Sequence, residues 1–257
     1  MRLSPILAIA RHELRLFRRD PTYLIITTLM PLIVIPVLKS TVAISLQVQG
    51  FEDATGAEQV VPGQAVVFSF FLVGGVAFSF FREHGWNTWD RLRASAATPA
   101  EMIAGKALPW IGLGMTQLAA VFTFGWVAYD LDLGAQPVAL VGVSLVYTLT
   151  LVVLGVALVA LLGRVQQVNA VSNLGAIVFG AIGGAFVGIS QLPGWIQHIA
   201  PGTPTYWVMR AYRSIFLAGD GADAVLLPVA VLLGFAAVFA TIAVVRFRFD
   251  EAKLSWA

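Results

Sequence analysis

Most of the residues that could do chemistry fall in one charged run, 82–106. It reads Arg82-Glu83-His84-Gly85-Trp86-Asn87-Thr88-Trp89-Asp90-Arg91-Leu92-Arg93, then Thr98-Pro99-Ala100-Glu101 and finally Gly105-Lys106. A Gly-Lys pair is one element of a phosphate-binding loop, but here Ala107 follows where Ser or Thr would be needed, and no glycine-rich lead precedes it. ATP hydrolysis by this chain is therefore not expected, and no cofactor is assigned to it. His12, His84 and His198 are scattered without ligand spacing on one helix face, and Cys is absent, so neither a metal site nor a disulfide is expected. Gly188-Ile189-Ser190-Gln191 is only a faint match to a hydrolase turn, and no histidine within a membrane segment could serve as its base.

What the run can do is mechanical. Gly85 can break a helix, after which Trp86, Trp89 and Leu92 recur at i, i+3 and i+6 and share one helical side. Thr98-Pro99-Ala100-Glu101 is a capping box with proline at the first helical position, so a second helix starts there. A helix, a sharp turn and a helix make a stiff element, able either to transmit a push or to rest in a membrane interface.

The elements around that run are membrane segments. Hydrophobic residues make up 58% of the 257 positions and charged residues 12%, against about a quarter charged in soluble domains. Six apolar segments, 22–46, 63–81, 107–128, 138–162, 168–190 and 224–245, reach the roughly 20 residues that a spanning helix requires. No ionisable residue falls deep in any of them. The expectation is an all-α membrane protein of one domain, 1–257, with six transmembrane helices. The net charge of +2 is small and the basic residues are dispersed, so nucleic acid is not an expected partner. Pro31 and Pro36 should bend the first span, and Pro109 the third. The first span is too long for a signal-peptide core and lacks a cleavage site, so it reads as retained.

Ahead of it, 4–20 is amphipathic, with Ser4 as N-cap and Pro5 in the first turn. Ile6, Leu7, Ile9, Ala10, Leu14, Leu16 and Phe17 fall on one side and Arg11, Arg15, Arg18 and Arg19 on the other, the pattern of a helix lying in the interface. A plain basic flank is the alternative. With the N-terminus in the cytoplasm, every Lys and Arg except Lys39, Arg210 and Arg213 lies on the cytoplasmic side, Arg248 and Lys253 included. That distribution places both termini in the cytoplasm, as expected for a multi-pass protein of the cell membrane. Lys39 should snorkel to the outer interface.

The outer stretch 191–223 is long and rich in Pro, Gly and aromatics, and its apolar pieces are too short to cross. Two short re-entrant helices within 191–218 are expected before the sixth span; a loop lying flat in the interface is the alternative. Gly180, Gly184 and Gly188 recur every four residues in the fifth span, a stripe permitting close helix packing within one subunit or across a dimer.

The run from Arg82 to Arg93, continuing through Thr98-Pro99 and Glu101 to Gly105-Lys106, resembles the signature loop of ABC-2 type transporter permeases, although Trp86-Asn87 stand between Gly85 and Thr88. A second block, Leu192-Pro193-Gly194-Trp195 with Pro204-Thr205-Tyr206-Trp207 and Arg210, is similar to that family's outer segment before its last span. The resemblance implies the permease subunit of an efflux transporter, paired with a second permease subunit, as a homodimer, and docked on a separate ABC ATPase that binds ATP and Mg. By the same resemblance 82–106 is the cytoplasmic coupling loop. Arg82, Glu83, Gly85, Trp89, Arg91, Leu92 and Arg93 would seat its coupling helix in the ATPase. Pro193, Trp195, Pro204, Tyr206 and Arg210 would belong to the outer re-entrant segment. An interior without deep charges favours a hydrophobic or amphipathic cargo, a drug, antibiotic or lipid; a glycopolymer exporter of the same superfamily, and a secondary carrier or scaffold without an ATPase, are the alternatives.

Overall fold

A computed structural model describes residues 2–133, 137–218 and 222–247, and among these the regular structure is entirely helical. The positive charges of Arg248 and Lys253 lie outside the described residues. Eleven α-helices account for most of the chain: α1 (Leu3–Arg19), α2 (Thr22–Val48), α3 (Ala57–Ser69), α4 (Phe71–Gly85), α5 (Trp89–Arg93), α6 (Pro99–Tyr129), α7 (Pro137–Leu161), α8 (Val165–Ile182), α9 (Gly194–Ile199), α10 (Pro204–Arg213) and α11 (Leu226–Arg246). Among the described residues six spans are long and apolar enough to cross a membrane: Thr22–Val48, Ala57–Gly85, Pro99–Tyr129, Pro137–Leu161, Val165–Ile182 and Asp223–Arg246.

Two expected boundaries move, and each for a local reason. The second span begins at Ala57 instead of residue 63, because Glu58 caps the turn before it: its carboxylate accepts from Thr55 N and, at 2.9 Å, from Gly56 N. Gly56 has φ +90, and a Cβ there would lie 2.2 Å from Lys39 O, so only glycine allows α2 and α3 to meet so closely. Gln59 and Gln64 are buried inside the protein, away from lipid. The span is interrupted only at Phe70, between α3 and α4.

The fifth span, in contrast, ends early. Its helix stops at Ile182, and Gly184 takes φ +82, so the chain leaves the helical path there. The expected stripe of Gly180, Gly184 and Gly188 therefore does not form on one helix: only Gly180 lies on α8. A Cβ on Gly180 would come 2.9 Å from Val67, whereas one on Gly188 would meet Arg213.

The capping box appears as the sequence implies. Thr98 N donates to Glu101 at 2.9 Å while Glu101 N donates to the Thr98 hydroxyl at 3.3 Å, and α6 then runs unbroken past Pro109 to Tyr129. At the N-terminus the cap differs. Leu3 is already helical, so Ser4 is not the N-cap; Arg2 N donates instead to Glu101 across the gap to α6.

Burial is uneven. The span formed by α3 and α4 and the α7 helix are mostly enclosed, whereas α2, α8 and α11 turn Ile33, Val37, Leu174, Ile177, Leu227 and Val244 outward. In water such exposure would be unfavourable. Against lipid it is not, because acyl chains are as apolar as the side chains themselves. The buried apolar residues form two clusters, one at each end of the bundle: Val61, Tyr147 and Tyr212 belong to the first, and Phe80, Trp89 and Trp110 to the second.

Candidate functional site

The second of those ends holds a closed group of charges. Lys106, on the first turns of α6, is 1% exposed. Its Nζ donates to Glu13 Oε1 at 2.6 Å, to Glu83 Oε1 at 2.8 Å and to the Ser79 carbonyl at 3.1 Å, which uses all three ammonium hydrogens. Arg82 completes the group by donating to the other oxygen of Glu13 at 2.8 Å. Two cations meet two carboxylates, and the group is neutral as a whole. Burying charge is costly unless partners and hydrogen bonds replace the lost water. Here Glu83 gains a further donor in the hydroxyl of Thr88.

Three elements bring the four members in. Glu13 is fully buried on the inner side of α1, Glu83 and Arg82 lie on the last turn of α4, and Lys106 is on α6. Gly105 makes the meeting possible: a Cβ there would lie 2.7 Å from Ile9 Cβ, so only glycine lets α1 press onto α6 one residue before the lysine. Arg2 adds an outer clasp, its guanidinium 3.3 Å from Glu101. The group thus joins α1, α4 and α6 beneath the connection between the second and third spans.

That connection is less helical than the sequence suggests. α4 ends at Gly85, Asn87 takes φ 54, and only Trp89–Arg93 form a helical turn beyond. Trp86 therefore does not share a side with Trp89 and Leu92. It is 56% exposed, with the Arg82 guanidinium 5.2 Å from its ring. Trp89 is buried and stacks on His84 with centroids 4.5 Å apart, while Leu92 is half-buried. Arg91 and Arg93 stay at the surface, Arg93 lying 3.6 Å from Asp90. Between the connection and α1 opens a cavity of about 510 Å³, whose walls include Ile9, His12, Trp86, Arg91 and Leu92, with Glu83 and Lys106 at its base.

Among the residues singled out in the sequence, Arg82 and Glu83 thus turn inward as parts of the charge group, while Arg91 and Arg93 face outward. Glu13 and Lys106 were the missed members. The available signal was modest: Glu13 is the one acidic residue of a helix otherwise carrying only basic charge.

The opposite end is held by neutral hydrogen bonds. Tyr212 OH lies 2.9 Å from the Ser144 hydroxyl, Thr205 Oγ1 donates to Phe179 O at 2.6 Å, and Gln59 Nε2 donates to Gly184 O at 2.8 Å. The segment 191–218 folds into α9, α10, short 3₁₀ turns and a wider turn at Ser214–Ala218. Pro193 precedes α9, on which Trp195 is 66% exposed; Pro204 opens α10 behind the Thr203 cap, Tyr206 is half-buried, and Arg210 lies 5.6 Å from the Trp207 ring. Among the described residues no three His, Asp or Glu side chains gather in a way that could hold a metal ion.

Two comparisons with known proteins bear on this arrangement. The family model for ABC-2 type transporters matches residues 5–217. The linearmycin resistance permease protein LnrN of Bacillus subtilis (strain 168) is 26% identical over 186 residues, covering 72% of this chain and 48% of the relative. The chain thus spans about half the length of the curated relative it matches.

Proposed function

The chain belongs to the ABC-2 type transporter family, and from that premise we propose that it is the permease subunit of an ATP-driven exporter, coupled through 82–106 to a separate ATPase subunit. The observation that supports this reading best is the Lys106 group. A force applied to the connection between α4 and α6 reaches α1, α4 and α6 together, because Lys106, Glu83, Arg82 and Glu13 tie all three. Trp86 and Arg91 stand exposed above the cavity, an aromatic and an arginine of the kind that anchors protein interfaces. The ATPase supplies ATP and Mg, and this chain binds neither.

The end bearing this group then faces the cytoplasm, where Arg2, Arg11, Arg15, Arg18, Arg19, Arg91 and Arg93 satisfy the positive-inside distribution. α9 and α10 lie on the outer side, as short re-entrant elements near the exit. A second copy of the chain would complete the conduit, packed on the lipid-facing surface of α2 or α8. The cargo is an amphipathic or lipid-like small molecule. A relative named for linearmycin resistance supports an antibiotic-like compound, and the apolar middle of the spans favours a cargo without strong charge.

The test is recovery of an ATPase with the full chain from native membranes in mild detergent. Wild type should bring down one ATPase in a fixed ratio. Trp86→Ala, and separately Arg91→Glu with Arg93→Glu, should weaken that association at least tenfold while the six spans stay inserted. Undiminished association and export in both variants would remove the coupling assignment.

A further inference from the structure

A second and larger opening lies on the other side of α1. This groove, about 890 Å³, separates the flank of α1 from the first half of α6. Leu14, Phe17, Leu108, Pro109 and Gly112 form its apolar floor, and Arg11 and Arg18 stand on its rim. Among the described residues no Asp or Glu lines it. Neither arginine has an ion-pair or hydrogen-bond partner among the described residues, in contrast to Arg82 and Arg2. Gly112 leaves the floor open, since a Cβ there would meet nothing within 4 Å.

We propose that this groove binds one anionic phospholipid, an acyl chain lying over Leu14, Phe17 and Gly112 and the phosphate held between Arg11 and Arg18. The two arginines are seven residues apart, roughly 10 Å along the helix axis and on the same side, so their long side chains can converge on one headgroup. An amphipathic helix in the interface sets its basic side at headgroup depth and its apolar side at the acyl boundary, the two depths this ligand needs. The charge complementarity selects against a zwitterionic lipid, whose phosphate charge is already balanced by the cationic group of its own headgroup. Occupancy has a consequence inside the protein. The lipid wedges α1 against α6, and α1 carries Glu13 to Lys106 on its inner side, so the lipid steadies the buried charge group. The proposal requires only that the chain sits in a membrane, and it stands apart from the ATPase reading.

Native mass spectrometry of the full chain, released from mild detergent and titrated with phosphatidylglycerol or phosphatidylcholine, tests it. Wild type should retain one phosphatidylglycerol roughly thirtyfold more strongly than phosphatidylcholine, the size expected when two arginines act near an anionic headgroup. Arg11→Gln with Arg18→Gln should reduce phosphatidylglycerol to the phosphatidylcholine level, and Gly112→Trp, which fills the groove, should displace both lipids. Arg15→Gln with Arg19→Gln removes equal charge from the same helix without touching the groove, and should leave retention unchanged. Equal retention of the two lipids by wild type, loss as large in the Arg15/Arg19 pair, or full retention in the Gly112→Trp variant would each overturn the site.

Discussion

The two ends of this bundle are fastened by opposite means. At one end α1, α4 and α6 meet through four buried charges around Lys106; at the other, α3, α7, α8 and α10 meet through single neutral hydrogen bonds from Gln59, Ser144, Thr205 and Tyr212. Their energetics differ accordingly. A neutral hydrogen bond contributes about 1 kcal/mol and fails alone, whereas removing one member of a buried charge group strands the others in a medium that cannot solvate them. Breaking one tie at the charged end therefore costs more than breaking one at the neutral end. The neutral end can yield one contact at a time.

Breaking the charged end should give the largest effect. Lys106→Met leaves Glu13 with Arg82 alone and strips Glu83 of its ion-pair partner, and should cost about 3–5 kcal/mol, read as early thermal unfolding of the detergent-purified chain. Adding Glu83→Gln, which leaves the neutral Arg82–Glu13 pair, should recover much of that loss, because the uncompensated charge, more than the missing contact, is responsible. If Lys106→Met melts like wild type, the two ends do not differ as described.

Gly105→Leu should follow, costing about 1–3 kcal/mol by forcing the side chain of Ile9 away from α6. Its sign is specific: α1 should become sensitive to trypsin while the six spans remain protected. At the neutral end, Thr205→Val removes the donor to Phe179 O and should cost about 1 kcal/mol, visible as a small shift in melting temperature. The smallest effect belongs to the surface. Asp90→Asn removes the exposed partner of Arg93 and should change stability by less than about 0.5 kcal/mol.

Much of this was legible along the chain, and some of it could not be. The six spans, the capping box at Thr98 and the short helices between 191 and 218 follow from neighbouring residues. The charged run 82–106 is visible too, but the spacing gives it too regular a geometry: Trp86 is set apart from Trp89 because Asn87 takes a left-handed conformation, which a count of i, i+3 spacing does not foresee. The glycine repeat misled in the same way. A four-residue spacing assumes a helix that continues, and α8 stops at Ile182.

What the sequence by itself determined is therefore the inventory of spans and where helices may begin, since apolar length, proline position and capping chemistry act over a few residues. The tertiary structure alone decided which charges are buried. Lys106 finds Glu13 across 93 positions and Glu83 across 23, and no local pattern distinguishes Lys106 or Glu83 from the exposed Arg91 or Arg93. Three helices must first be packed closely enough, with Gly105 yielding the space, before an ammonium and two carboxylates become cheaper together than each in water.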